Sequence, residues 1–151
     1  MKFDIDLFKL NPKPMISYYP VTECHIPILV VDNFYQYPHK VREFALALEF
    51  EEKGLSDHPG LLATSKHDGR NISRFLYQHY GKKFKMDEQV WHAKFLDHQA
   101  FRLLKARKES LNPRQCIPHA DGRLFAGIVY LNTPIQCMGG TGFYQHKKTK
   151  I

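Results

Sequence analysis

A chain of 151 residues, 43% of them hydrophobic, can bury one core and leaves no room for a second full domain. The absence of any run of about 18 apolar residues, together with the alternating start MKFDIDLFKL, excludes a membrane span and a signal-peptide core and predicts a cytoplasmic protein. Three cysteines at positions 24, 116 and 137 are odd in number and form no CxxC pair, which excludes a disulfide framework and a zinc knuckle. The formal charge of +7 would favour polyanions through counterion release. However, the basic residues are scattered around Lys82, Lys83 and Lys85, around Arg102 to Lys108, and around Lys147 to Lys150, so solvated faces are expected and nucleic acid is not the expected partner.

In chain order, Asn11 to Pro14 reads as an extended arm. Ile26 to Val31, closed by Asp32 and Asn33, has the β-branched composition of a buried strand. Pro38 suits a first helical position, and Val41, Phe44, Ala45 and Leu48 repeat at helical spacing. That pattern predicts a helix running to about Glu52, with Gly54 to stop it, and one face packed on a sheet. Ser56 to Gly69 is rich in turn formers and predicts a loop bordering a site. Asn71 is expected to cap a short helix with Ile72, Phe75, Leu76 and His79 on one side and Gly81 at its end.

Short segments at Val90 to Leu96, Phe101 to Ala106 and Cys116 to His119 predict antiparallel strands. Leu124 to Leu131 (LFAGIVYL) gives the clearest strand, with Phe125, Val129 and Leu131 on one face and Ala126, Ile128 and Tyr130 on the other. Both faces are apolar, which calls for cover on both sides. Asn132 to Gly140, containing Pro134 and the pair Gly139 and Gly140, predicts a turn that reverses the chain into TGFYQH and completes a hairpin.

Residues two apart in an extended segment share a face, so His119 and Asp121 can offer an imidazole and a carboxylate to one cation while Ala120 faces away. Two histidines and one carboxylate on one face of an octahedron are what a non-heme Fe(II) oxygenase requires. The pair follows Pro118 and precedes the strand, YLN, a turn, GG and an aromatic strand. In that order IPHADGRLFAGIVYLNTPIQCMGGTGFYQHKKT resembles the Fe(II)- and 2-oxoglutarate-dependent dioxygenase superfamily, including its prolyl-hydroxylase-like members. The earlier ILVVDNFYQYPHKVREFALAL and HPGL resemble the N-terminal part of one of its branches.

The resemblance implies an α+β fold. The N-terminal strand and helices, residues 1–88, would pack on the first half of a double-stranded β-helix, or jelly roll, spanning residues 89–151. It implies that His119 and Asp121 bind Fe(II), that 2-oxoglutarate is the cosubstrate, and that a small molecule or a protein side chain is oxidised. Tyr130 is the candidate hydrogen-bond donor to the cosubstrate carboxylate. The superfamily carries its distal histidine and a basic cosubstrate anchor on later strands, which are expected to be missing before Ile151. Three explanations stand open: a truncated gene, a split protein whose missing strands come from a completing chain or a homo-oligomer, and a shortened fold whose N-terminal elements replace them.

His146, brought back toward Arg123 and Phe125 by the hairpin, is the candidate third ligand within the chain, although its place in the pattern matches the strand after Gly140. The remaining histidines form no HExxH pair, and neither a phosphate loop nor a nucleophile elbow occurs. Thiol chemistry at Cys116 beside His119 is a minor alternative. The reading from a different class is a non-catalytic or remnant β-domain that meets a protein or polyanion through its basic surface.

Overall fold

The computed structural model describes residues 7–21, 24–52, 59–65, 67–95, 100–104, 111–118, 126–137, 140–144 and 148. Within them the fold is α+β: two small antiparallel sheets and three α-helices. Strand β1 (Met15–Val21) pairs with β2 (Cys24–Asp32), from Met15 opposite Asp32 to Val21 opposite Cys24. The register slips between Tyr19 and Val21, where Pro20 has no N–H to give the ladder. β2 was expected from its composition, whereas no strand was expected at Met15–Val21.

Asn33 ends β2 in the left-handed region, at φ 55°, a conformation that asparagine tolerates better than most residues. Beyond it the pairing resumes. Leu10 bridges Tyr35, Asn11 N–H donates to the Phe34 carbonyl at 2.9 Å, and Gln36 N–H donates to Lys9 at 2.9 Å. The predicted arm, Asn11 to Pro14, therefore links β1 to a second point of pairing at Leu10. The residues before it carry Leu7 and Phe8 into the core with Tyr35 and Val41, and Leu10, Phe34, Phe44, Ile72, Phe101 and Leu131 pack around them.

Helix α1 (Pro38–Leu46) starts at the predicted proline and buries Val41 and Ala45. It stops short of Glu52 because Glu51 exchanges two 2.9 Å backbone hydrogen bonds with Leu62, which requires extended chain there. Leu62 lies on β3 (Leu61–Thr64), a strand inside the segment expected to be a loop. β3 pairs with β4 (Ala100–Leu103), with Leu61 opposite Leu103. β4 covers the first part of the strand expected from Phe101.

Between these two paired strands the chain makes a helical excursion. Helix α2 (Arg70–Leu76) runs into a π-helical turn (Tyr77–Gly81), and α3 (Glu88–Phe95) follows. Gly69, not Asn71, precedes α2. The Asn71 side chain instead accepts from Ile72 N–H and donates to the Phe8 carbonyl at 3.0 Å, tying the helix to the core. The strand expected at Val90 to Leu96 is helix α3. Asp87 Oδ1 accepts from Val90 N–H at 2.8 Å, the position of an N-cap bond. Trp91, 2% exposed, gives its indole N–H to the Ser73 carbonyl at 3.1 Å. The hydroxyls of Tyr18 and Tyr80 reach across to His79 O (2.5 Å) and Pro27 O (2.9 Å), joining hairpin to helices.

Two further expectations are corrected. The segment around Cys116 forms a 3-10 turn (Pro113–Cys116), not a strand. Ala126 to Leu131 belongs to no ladder among the described residues, and Ala126 to Tyr130 are exposed, so the two covered faces are absent there. Strand composition supplies a preference, but a ladder also needs a neighbour, and no described strand lies beside it. Thr141 to Tyr144 is likewise irregular, so among the described residues the two arms form no hairpin ladder. A 3-10 turn (Pro134–Gln136) stands between them. Residues 53–58, with Gly54, and residues 119–125 lie outside the described residues.

Trp91, Gly81 and Tyr77 fit closely: a Cβ on Gly81 would lie 2.5 Å from Tyr77 Cδ2 and 3.0 Å from Trp91 Cε3. Gly81→Ala should therefore lower stability by about 1–3 kcal/mol through overpacking. Val41→Ala, at a fully buried position, should cost about 2 kcal/mol for two lost methyl groups and the cavity they leave. Urea unfolding checks both, and an unchanged midpoint for either variant would refute the packing at that position.

His67 stacks on Phe8 with ring centroids 3.9 Å apart. Burial holds its pKa below the usual histidine value, with Asp68 opposing that shift. The folded state thus prefers the neutral ring. Its contribution is complete above the unfolded value of about 6.5 and declines as pH falls from there toward the depressed folded value, where the unfolded chain binds the extra proton. His67→Phe, which keeps a ring on Phe8, should flatten that part of the stability profile between pH 7.5 and 5. An identical pH slope in the variant would count against the burial of a neutral ring.

Candidate functional site

The predicted metal ligands His119, Asp121 and His146 all lie outside the described residues. The structure describes the chain on either side of the first two, ending at Pro118 and resuming at Ala126. Of the predicted site residues, Tyr130 is described. It is 56% exposed, and its phenol oxygen lies 2.6 Å from Thr141 Oγ1. This bond joins the two arms expected to form a hairpin, although neither arm is in a ladder.

The first arm is held to the protein at its end. Leu131 packs against the core, and Gln136 Oε1 accepts from Arg42 Nη2 of α1 at 3.1 Å. Gln136 Oε1 also accepts from the Thr133 backbone N–H at 3.3 Å and from its hydroxyl at 3.1 Å, which closes the turn. Ile128, Val129, Ile135, Phe143 and Tyr144 remain exposed. The arms therefore present apolar side chains to the outside, anchored at one end by the half-buried Leu131.

Either hydroxyl can donate in the Tyr130–Thr141 pair. When Thr141 donates, the phenolic proton of Tyr130 is free for a carboxylate acceptor. Among the described residues no group of three histidine, cysteine, aspartate or glutamate side chains could hold a metal. Among the described residues Cys116 and Cys137 are in no disulfide and are exposed. No described helix is long and apolar enough to cross a membrane.

A second constellation, which the sequence reading passed over, lies between α2 and α3. Ser73 is 1% exposed, and its hydroxyl lies 2.7 Å from His92 Nδ1. On the other side of the ring, His92 Nε2 lies 3.6 Å from Glu88 Oε1, one helical turn back along α3. If Nε2 carries the proton toward Glu88, Nδ1 accepts the hydroxyl of Ser73, and the buried oxygen is satisfied. Arg70, Ser73, Arg74 and His92 line a pocket of about 230 Å³ here. Arg70, Ser73 and Arg74 stand at i, i+3 and i+4, the spacing that puts three side chains on one helix face. That spacing was legible in the sequence. His92 was not, because its segment was expected to be a strand.

Asp68 fixes Arg70 in a fork. Nε donates to both carboxylate oxygens at 2.9 Å, and Nη2 donates to Oδ2 at 2.6 Å. These bonds hold the Asp68 carboxyl down at about 2. Ser73→Ala should lower stability by about 1 kcal/mol, the ordinary net worth of a buried hydrogen bond, and should shift the ring-nitrogen resonances of His92 in NMR spectra. Unmoved His92 resonances would show that the hydroxyl is not its partner.

No curated protein and no solved structure matches the chain. A family profile matches residues 12–151, which takes in the hairpin, the helical excursion and both C-terminal arms. The chain therefore belongs to the family of unknown function DUF6445.

Proposed function

We propose that the chain is an Fe(II)- and 2-oxoglutarate-dependent dioxygenase, acting on a small molecule or a protein side chain, with His119 and Asp121 as metal ligands. The observation that carries this reading is the ordered run from Pro118 to His146: an imidazole and a carboxylate two positions apart, then an apolar segment ending YLN, a turn, a glycine pair and an aromatic segment. The donor set fits the ion. One imidazole and one carboxylate two positions apart, which an extended segment would put on one face, would supply two sites of a facial triad, and His146 or a second chain would supply the third.

When bound, the iron would supply an oxidation by O2, one oxygen atom converting 2-oxoglutarate to succinate with release of CO2 and the other entering a C–H bond of the substrate as a hydroxyl. The chain's own part is positioning. His119 must be neutral and Asp121 ionised to bind a divalent cation, so loading is expected to weaken in acid. Tyr130 donates its phenolic proton to the cosubstrate carboxylate while accepting from Thr141, which fixes the direction of the phenol. The packing of the half-buried Leu131 against the core holds the chain next to Tyr130.

The fold that this reading requires is a partial double-stranded β-helix with the N-terminal helices packed on it. The exposed Ile128, Phe143 and Tyr144 agree with it, because they are the kind of side chain that a jelly roll covers with facing strands. An anaerobic titration of the chain with Fe(II) and 2-oxoglutarate should develop the metal-to-cosubstrate charge-transfer band. Asp121→Ala should abolish the band, and Tyr130→Phe should retain it with roughly tenfold weaker cosubstrate binding. No band from the intact chain, or a band that survives Asp121→Ala, would overturn the assignment.

A further inference from the structure

His67 lies in the stretch that joins β3 to α2, of which Ser65, His67, Asp68 and Gly69 are described. Its ring stacks on Phe8 with centroids 3.9 Å and planes 13° apart, and lies 6.0 Å from the ring of Phe101 on β4. The polar bonds of the stretch stay local. His67 Nδ1 is 3.1 Å from the Ser65 hydroxyl, and Asp68 accepts from the backbone N–H and the guanidinium of Arg70. Among the described residues Ser65, His67 and Asp68 make no backbone–backbone hydrogen bond. The ring stack is therefore the described contact that lays this stretch on the core.

That contact favours a neutral ring. Burial pushes the His67 pKa below the ordinary histidine value, and the Asp68 carboxylate opposes the shift without reversing it. The described faces around the ring bring no counter-charge: Phe8 lies on one side, with Tyr35 6.0 Å behind it, and Phe101 on another. The Tyr35 phenol, pushed up to about 12 by burial, stays neutral throughout. Asp68 is committed to Arg70, and the other chain neighbour, Lys66, is a further positive charge that lies outside the described residues.

We propose that His67 is an acid-released clip: on protonation its ring leaves the face of Phe8, and the stretch between β3 and α2 swings outward while the aromatic hub stays closed. A charged imidazole regains water that two phenyl rings do not replace. The hub stays closed because Phe8 keeps its edge contacts with Tyr35 and Phe44 and the bond from Asn71 to its carbonyl. Acid thus uncovers one face of Phe8 beside Phe101. The clip is separate from His119 and Asp121, and its test does not bear on the oxygenase reading.

Ring protons that lie over another ring resonate upfield, so NMR of the full chain reads the stack directly. Between pH 7.5 and 4.5 the His67 ring protons should lose more than half of their upfield displacement, through a midpoint below the unperturbed value of about 6.5. The Phe8 ring protons should follow with the same midpoint, and those of Tyr35 and Phe44 should hold their positions. A His67 ring that titrates and keeps its displacement is protonated in place as a cation–π pair, which would overturn the clip. A shared midpoint for Tyr35 and Phe44 would overturn it too, because the hub would then open as a whole. His67→Phe should abolish the pH response of Phe8, whereas His39→Gln, at an exposed position of α1, should leave it unchanged. A Phe8 response that persists in His67→Phe counts against the proposal, and if that variant does not fold, titration of the parent chain decides alone.

Discussion

Phe8 stands where separate parts of this fold meet. Its ring lies edge-on to Tyr35 at 6.0 Å and to Phe44 of α1 at 5.5 Å, stacks on His67 ahead of α2, and reaches Phe101 of β4 at 6.5 Å. Its carbonyl accepts from Asn71 of α2. A 9% exposed phenylalanine thus touches the continued hairpin, the first helix, the helical excursion and the second sheet together. Aromatic rings gain from edge-to-face contact beyond the area they bury, and here one ring serves several such contacts. The backbone pairing of Leu10 with Tyr35 holds it there, because that pairing brings the first described residues back beside the end of β2.

Around this centre the two sheets stay small, and polar bonds do much of the joining. The tyrosine hydroxyls of Tyr18 and Tyr80 take backbone carbonyls on opposite sides of the hairpin–helix boundary, and Arg42 ties α1 to the turn at Gln136. Such bonds contribute about 1 kcal/mol each in net terms, but they fix orientation where two-stranded ribbons alone would be marginal. The C-terminal arms are tied in at Leu131 and at Gln136 and joined to each other by a hydroxyl pair, and among their described residues Ile128, Val129, Phe143 and Tyr144 are exposed.

The two candidate sites differ in what supports them. The oxygenase reading rests on an ordered sequence pattern whose metal ligands lie outside the described residues, and the structure adds the Tyr130–Thr141 pair beside it. The Ser73–His92–Glu88 cluster rests on the packing of α2 against α3, and of it only the helical spacing of Arg70, Ser73 and Arg74 was legible in the sequence.

By itself the sequence determined β2, the start of α1 at Pro38, the existence of α2 and the α+β class, because each rests on local chemistry: a β-branched run, a ring that fixes φ, an apolar repeat at helical spacing. It also determined the His119-x-Asp121 pattern as a sequence of donor types. Tertiary structure alone decided the rest. β1 and β3 became strands because partners lay beside them, and α1 stopped early because Glu51 was needed to pair with Leu62. Val90 to Phe95 became a helix because Trp91 found Ser73 and Tyr77, a contact that alternating apolar residues cannot announce. Ala126 to Leu131, the most strand-like stretch in composition, stayed out of any described ladder for the complementary reason: a strand is completed by its neighbour, and propensity cannot supply one.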